Sequence, residues 1–586
     1  MSEPGAVAAV CVPTPWYPVP FNRMAGSFVA EHARLATRLA DRVHVVHAQE
    51  WPGGAAGSPA VEALRGPFDA VLDRLAAGGG LQVPGATGPV TRVPVFTEGG
   101  AGVAQRAEAM VRDVRRAVGP FREPVVHGHV GYWGGLLAAR LADPAARVFA
   151  TEHSTGLRDV LADPAGRAVY AEVLARADRV FCVSGLLRDQ ILDALPGSEP
   201  VLEVLPNPVD FTGVPRRPEP PKSLDQWVFV GSLTERKGVE RLVRAFAAVA
   251  RHDPAVELTL FGDGPLAGRL TEIARDAGVA DRLHLRGVVR HVDVLAALPR
   301  FDLLLAPSTY ETFHLAVVEG VAAGVPVIVT RSGGPQEALA GVEHLVGRFV
   351  DVQEGPDALV DAHRELSAAL DTLDLDAARA ALDARYGPAA IAGRLAAAYG
   401  VPAGAVRPTE CLPRPEPARE PERIVVLAAS GWRRYSVEAE LAAARALGAP
   451  TVVVTGDPQV TAWAAGLRVV GPAAVAALAG AQTGATPSAP QRSPQPSTQP
   501  EPLGVRARRL AGRVRRRLQG RPAAQPPRWA TVTAGDVSGA TVVVADCQSM
   551  PLADRLATAV PQARLVVELA RGGRLGPPPD GRDDAP

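Results

Sequence analysis

Residues 310–334 read YETFHLAVVEGVAAGVPVIVTRSGG, and the fold turns on how this stretch is understood. Glu311 and Glu319 bracket seven mostly apolar residues, after which come a strand pattern, VPVIVT, and a Gly-Gly turn. Apolar residues at helical spacing followed by a short β-branched run bounded by glycine describe one helix and one strand of a parallel α/β sheet. With a helix beginning near Phe313, eight residues at ~1.5 Å rise set the two acids roughly 12 Å apart. That span suits a sugar, two phosphates and a ribose. Each carboxylate can accept hydrogen bonds from the hydroxyls of one ring, while N–H groups near Phe313, His314 and Leu315 face the diphosphate between them. Read as structure alone, Glu311 is a capping acid and Glu319 a surface residue. Val317, Val318, Val321 and Ala322, however, make the surroundings of Glu319 look buried, where an unpartnered acid is costly.

Working outward, the same alternation of apolar runs and helical segments recurs on both sides. Strands are expected at 6–12, 43–47, 124–127, 147–151, 179–183 and 201–205, then at 227–230, 256–261, 283–285, 302–305 and 325–330. The turn PNPVDF and the Pro-rich run RRPEPPK separate the two sets. The expected organisation is an N-terminal Rossmann-like domain over 1–205, with 376–400 returning to it, and a second over 206–375. Two such domains in series put their strand carboxyl ends at a common cleft. A linker rich in Pro and charge, 401–422, leads to an accessory α/β unit over 423–586, with an insert at about 481–527 too polar to build a core.

The 586 residues suffice for about three or four such units. Lys plus Arg, 62, balance Asp plus Glu, 62, so no global field draws in nucleic acid, and an anionic ligand must be met by a local patch. The four cysteines lie far apart, without zinc-ligand spacing or a disulfide framework, which fits a reducing cytoplasm. The N-terminal segment lacks the pattern of a signal peptide, and no run of 18 uncharged apolar residues occurs.

The local patch is FVGSLTERKGVERLVRAF, 229–246. A strand ends at Gly231, a short loop carries Arg236 and Lys237, and a helix follows, so two cations stand beside free backbone N–H groups. Only Lys222 and Lys237 of the 62 basic residues are lysine, so a compact point charge beside an arginine is a distinct choice. The turn in RSGGPQEAL can approach phosphate closely through Gly333 and Gly334. FGDGPLAGRL raises a dinucleotide reading, but glycines 262, 264 and 268 miss the G-x-G-x-x-G spacing. His153 follows a strand end in TEHSTG. With the HGH of 127–129 it suggests a metal, yet no carboxylate motif supports one. Asp374 and Asp376, the one D-x-D, fall in a helical stretch and read as a solvated face.

These segments, VGSLTERKG, LTLFGDGP, VSGLLRD, LPNPVD and the E-x7-E stretch with GVPVIVTRSGGPQE, resemble in order and spacing the GT-B-fold glycosyltransferases of the retaining family 4 type over residues 6–400. The resemblance implies transfer of a sugar from a nucleotide-diphosphate sugar, such as a UDP- or GDP-sugar, to an acceptor hydroxyl, with retained configuration, no cofactor and no metal. It implies that Arg236 and Lys237 hold the diphosphate, Glu319 the ribose and Glu311 the transferred sugar. His153 would touch that sugar, and the loop around Gly26 would close over the phosphates. Gly231, Gly262 and Gly264 belong to the expected donor site. Three features depart from the family: His314 stands where Gly is common, FNRMAGSF leaves Gly26 alone, and 401–586 exceeds the usual length. A related epimerase and a silent nucleotide-sugar scaffold remain as alternatives.

In the tail, VRARRLAGRVRRRL, 505–518, reads as a basic amphipathic helix suited to an anionic membrane face, so a cytoplasmic protein in peripheral contact with the inner membrane face is expected. Residues 539–571 resemble the first half of another GT-B enzyme without its partner domain, which suggests a noncatalytic docking role.

Overall fold

Val- and Leu-rich runs bounded by Gly or Pro form three largely parallel sheets in the computed structural model, which describes residues 5–20, 22, 25–352, 355–412, 421–430, 433–472, 537 and 539–569. The described residues divide into two compact units, within Met1–Arg65 and Leu81–Arg419 for the first and Gly66–Gly80 and Glu420–Leu569 for the second. The polar insert expected at about 481–527, with its basic segment 505–518, lies outside the described residues.

In the first unit, one sheet is built from β1 (Val10–Thr14), β2 (Val43–Ala55), β3 (Gln82–Val83), β4 (Val90–Gly99), β5 (Val125–His129), β6 (Arg147–Glu152), β7 (Arg179–Cys182) and β8 (Leu202–Val204). Its order is β3-β4-β2-β1-β5-β6-β7-β8, parallel except for β3. The other sheet uses β9 (Gln226–Val230), β10 (Glu257–Phe261), β11 (Leu283–Leu285), β12 (Leu303–Ala306), β13 (Val327–Thr330) and β14 (Gly347–Val350), ordered β11-β10-β9-β12-β13-β14. Both are doubly wound: the chain steps outward one way from β1 and β9, then reverses at β5 and β12, and the reversal opens a crevice at the strand carboxyl ends. Trp227, Phe229, Leu242, Phe246 and Leu260 anchor the second core, and Val10, Leu35, Val45, Phe149 and Phe181 the first.

β4 and β14 were not expected from the sequence. β4 contains Pro94, which argues against a central strand, but β3 covers only Val90 and Thr91, and an edge tolerates the proline. The return segment also differs. The helix Leu375–Tyr386 stays with the second sheet, where the Tyr386 hydroxyl donates to the Ala338 carbonyl at 3.0 Å. Only after Gly387 does the helix Pro388–Tyr399 cross over, placing Ile391, Leu395 and Tyr399 in the first core. The return therefore starts at Pro388, at a break set by a proline in the first helical turn, rather than at 376. Asp374 and Asp376 are both exposed, as expected: Asp374 caps the helix Leu375–Tyr386 by accepting from Ala377 N at 2.8 Å, and Asp376 pairs with Arg216.

The second unit carries a parallel sheet of β15 (Ile424–Leu427), β16 (Thr451–Val454), β17 (Arg468–Val470), β18 (Thr541–Val544) and β19 (Arg564–Val566), ordered β17-β16-β15-β18-β19. The residues 66–80 pack within it, with Arg74 Nη2 donating to Thr558 Oγ1 at 3.1 Å. Among the described residues no helix is long and apolar enough to cross a membrane.

β5 and β6 bury a histidine cluster in the first sheet. His127 Nδ1 meets the Tyr399 hydroxyl at 2.6 Å and Nε2 meets Thr151 Oγ1 at 2.6 Å, while His129 Nδ1 lies 3.0 Å from His153 Nε2. His32 packs on both, ring centroids 5.0 Å from His129 and 5.7 Å from His153. Burial, reinforced by charge repulsion among the rings, holds His127, His129 and His153 well below the usual imidazole range, and burial brings His32 to about 4. A group with a depressed folded pKa takes up fewer protons folded than unfolded, so it removes stability as pH falls below the unfolded value of about 6.5. The nearby Glu152, raised by burial to about 7, acts oppositely, since its penalty on folding grows as pH rises from about 4.5 to 7. Four histidines outweigh one acid, so the thermal midpoint should drop steeply between pH 6.5 and 4.5. A midpoint flat across that range in a buffer series would show that the cluster is hydrated.

Candidate active site

The helix at the heart of the opening segment runs Leu315–Ala322, two residues later than the sequence suggested. The delay comes from His314, which takes the left-handed conformation at φ 80°, ψ 67° and turns the chain into the helix. Residues 311–313 before it are clamped from behind: Glu311 N donates to Ser332 O at 2.9 Å and Gly334 N to Glu311 O at 2.9 Å. A Cβ on Gly334 would lie 2.4 Å from Phe313 N, so only glycine allows this approach.

A cavity of about 490 Å³ opens in front of this segment, between the two sheets of the first unit. It gathers nine of the expected residues, Lys237, Glu311, Phe313, His314, Leu315, Glu319, His153, Gly231 and Gly262, on one wall system. Arg236 joins through Glu311 and the Tyr310 carbonyl, to which it donates at 2.9 Å. Four expected donor residues are elsewhere. Gly333 and Gly334 buttress the Glu311 loop from behind instead of facing a phosphate. Gly264 packs on Leu233, whose carbonyl a Cβ there would approach to 2.5 Å. Gly26 caps the helix Ser27–Ala36, so that its neighbours Ala25, Ser27 and Phe28 form the wall. Phe21, Arg23 and Met24 of that loop lie outside the described residues.

Glu311 is 5% exposed, and its Oε1 lies 2.7 Å from Lys237 Nζ and 3.4 Å from Arg236 Nη1. Burial opposes its ionisation, but His314, Lys237 and Arg236 together outweigh this and bring the carboxyl to about 2. At the other end of the helix, Glu319 Oε1 meets His291 Nε2 at 2.6 Å. Burial would lower the His291 pKa, but the hydrogen bond and charge of Glu319 raise it above the usual value. His291, Asn207 and the valines Val288 and Val289 line the cavity but were not singled out beforehand. Asn207 stood in the quoted LPNPVD, whereas His291 is a lone histidine in RGVVRHVD with no motif to flag it.

His153 connects the walls. Its carbonyl accepts from Thr312 Oγ1 at 3.3 Å, its ring lies 4.5 Å from that of Phe28, and its Nδ1 has no partner. Glu152 fixes the backbone here: Oε1 accepts from His153 N at 2.9 Å and Ser154 N at 2.6 Å, and Oε2 from Gly131 N at 3.1 Å. The histidines 127, 129 and 153 thus bind one another and the fold. Among the described residues, the group with metal-ligand proximity is instead Cys11, His44 and Glu123, at the opposite strand ends, where Glu123 Oε1 and Thr91 Oγ1 engage the His44 ring at 3.1 and 2.9 Å.

Residues 74–212 match the family described as Glycosyltransferase Family 4, and residues 225–369 match Glycosyl transferases group 1. The chain is 28% identical over 256 residues to one of the subunits of the phosphatidylinositol N-acetylglucosaminyltransferase of Arabidopsis thaliana, covering 43% of this chain and 56% of that protein. It is 30% identical over 246 residues to a GDP-mannose-dependent alpha-(1-6)-phosphatidylinositol monomannoside mannosyltransferase of Mycobacterium tuberculosis, covering 39% and 62% respectively. The chain thus spans little more than half the length of these curated relatives. The structure of sucrose-phosphate synthase from Thermosynechococcus elongatus superposes with a TM-score of 0.51 at 18% identity, covering 67% of this chain and 98% of that one, and shows the shared two-domain fold. With one family match falling largely within each sheet domain beside the cleft, and the fold shared across both, the chain belongs to the GT-B glycosyltransferases of the family 4 type.

Proposed function

We propose that this chain transfers a sugar from a UDP- or GDP-sugar to an acceptor hydroxyl, with retention of anomeric configuration and without a metal ion. The observation that carries the proposal is the convergence of Lys237, Glu311 and Glu319 on one cavity, with Arg236 held beside Glu311. Breaking the bond between sugar and phosphate places negative charge on the leaving diphosphate. In this reading Lys237, with Arg236 beside it and the first-turn N–H groups of Leu315 and Ala316, meets that charge as it develops and favours the transition state over the ground state. In this role they supply the electrostatic stabilisation that a divalent ion provides elsewhere.

Glu319 and His291, beside Val288 and Val289, suit the nucleoside: a carboxylate for the ribose hydroxyls and apolar side chains for the base. At the other end Glu311 takes the transferred sugar. His153 is uncharged near pH 7, since burial holds it far below the usual range, so it contacts the sugar by hydrogen bonding rather than by charge. The names of the relatives, one acting with GDP-mannose and both on phosphatidylinositol-based compounds, support a lipid-linked acceptor.

Lys237→Ala should weaken donor binding and lower kcat/KM by about 10²- to 10³-fold, the range seen when one preorganised charge-stabilising donor is removed. Steady-state kinetics on the folded variant check this, and wild-type constants would contradict it. Glu311→Ala should act mainly on kcat. Activity should survive excess EDTA, and the proton coupling of the new anomeric centre should match that of the donor. Dependence on added Mn²⁺, or an inverted coupling, would remove the corresponding part of the proposal.

A further inference from the structure

Among the described residues, His314 and Val130 are the non-glycine residues with positive φ. At φ 80° a side chain is strained, and such strain persists only where the surroundings impose it. His314 carries a second liability. Its side chain is 3% exposed, and Nε2 has no hydrogen-bond partner although it is buried. Glycine at this position would be free of both penalties. Nothing among the described residues compensates for either, but His314 lines the donor cavity, where a ligand can.

The chemistry of that ligand follows from the ring's protonation. Burial, against the pull of Glu311 and with Lys237 adding to the effect, brings His314 to about 4, so the ring is neutral at pH 7. A neutral imidazole has one donor and one acceptor nitrogen, and Nε2, the unpartnered one, is available to a ligand hydroxyl in either role. Glu311 Oε1, ionised and an acceptor, lies 4.0 Å away, too far to bond to it directly. Two polar groups thus stand side by side among the residues lining the cavity, of which only Glu311 already has partners within the protein. We propose that His314 Nε2 and Glu311 together read two neighbouring hydroxyls of the transferred sugar, so that His314 sets donor-sugar specificity. This rests on the donor-site reading above. The matching chemical feature is a vicinal diol, one hydroxyl meeting each group. A sugar lacking either hydroxyl leaves a buried polar group unpaired and is discriminated against.

The test measures dissociation constants of wild type, His314→Gly and His314→Asn for UDP, UDP-glucose and GDP-mannose, and for the monodeoxy analogues of each sugar. Wild type should lose about tenfold in affinity at the deoxy position facing His314, the equivalent of one hydrogen bond. In His314→Gly that same analogue should bind as well as its parent, UDP should bind as it does to wild type, and the thermal midpoint should not fall, since the strain is relieved. His314→Asn, which tolerates this backbone and keeps an acceptor, should restore part of the discrimination. Equal losses at every deoxy position in wild type and His314→Gly, or a uniform loss that includes UDP, would overturn the assignment. Failure of wild type to bind UDP or either nucleotide sugar would instead bring down the donor-site reading itself.

Discussion

The contact between Lys237 and Glu311 governs the rest of the site. A carboxylate left 5% exposed must have a partner, and the partner fixes where each residue stands. The 3-10 turn Glu235–Lys237 is held against the 309–311 loop by Thr309 N donating to Arg236 O at 2.8 Å and by Arg236 donating to the Tyr310 carbonyl at 2.9 Å. Buried ion pairs add little to stability compared with apolar packing, yet losing one partner is expensive. Stability therefore gives no reason for placing a rare lysine here. Preorganisation does: an ammonium already held in place at the cavity wall need not be reoriented when charge develops on a ligand.

Direct hydrogen bonds join the two sheet domains of the first unit. Both oxygens of Glu337 accept from Gly185 N, at 2.8 and 2.7 Å, at the start of the helix Gly185–Ala194. Gln190 donates to the Tyr310 hydroxyl at 2.9 Å, and Thr312 to the His153 carbonyl. The chain crosses back between domains at Gly387, flanked by a helix anchored on each side through Tyr386 and Tyr399. A short break between two anchored helices can absorb a hinge rotation without disturbing either core.

Much of this was legible because parallel strands buried on both faces appear as uninterrupted apolar runs. The sheet containing the E-x7-E segment could be read nearly strand by strand. β4 escaped because Pro94 and Arg92 break its run, and both are tolerated for tertiary reasons: an open edge for the proline, and the His47 ring and Pro18 carbonyl as partners for Arg92. Glycines announce a close approach without naming what approaches. Gly333 and Gly334 thus suggested a phosphate, where the structure has the backbone of Glu311 and Phe313. The helix start was misplaced for a similar reason: nothing in the local sequence signals that a histidine will hold the left-handed conformation. His291 was invisible because its significance lies in Glu319, 28 residues away in sequence.

The distribution of charge divides the labour between the walls. On the first domain's side the cavity meets His153, backed by His129 and His127, and burial keeps all three uncharged near neutral pH. A neutral ring network cannot balance a diphosphate. Among the described residues lining the cavity from the second domain, Lys237 is the fixed cation, with Arg236 beside it. In the proposed reaction the second domain therefore supplies the charge that holds the diphosphate. The first domain contributes hydrogen-bonding groups that act near the transferred sugar without competing for the leaving group.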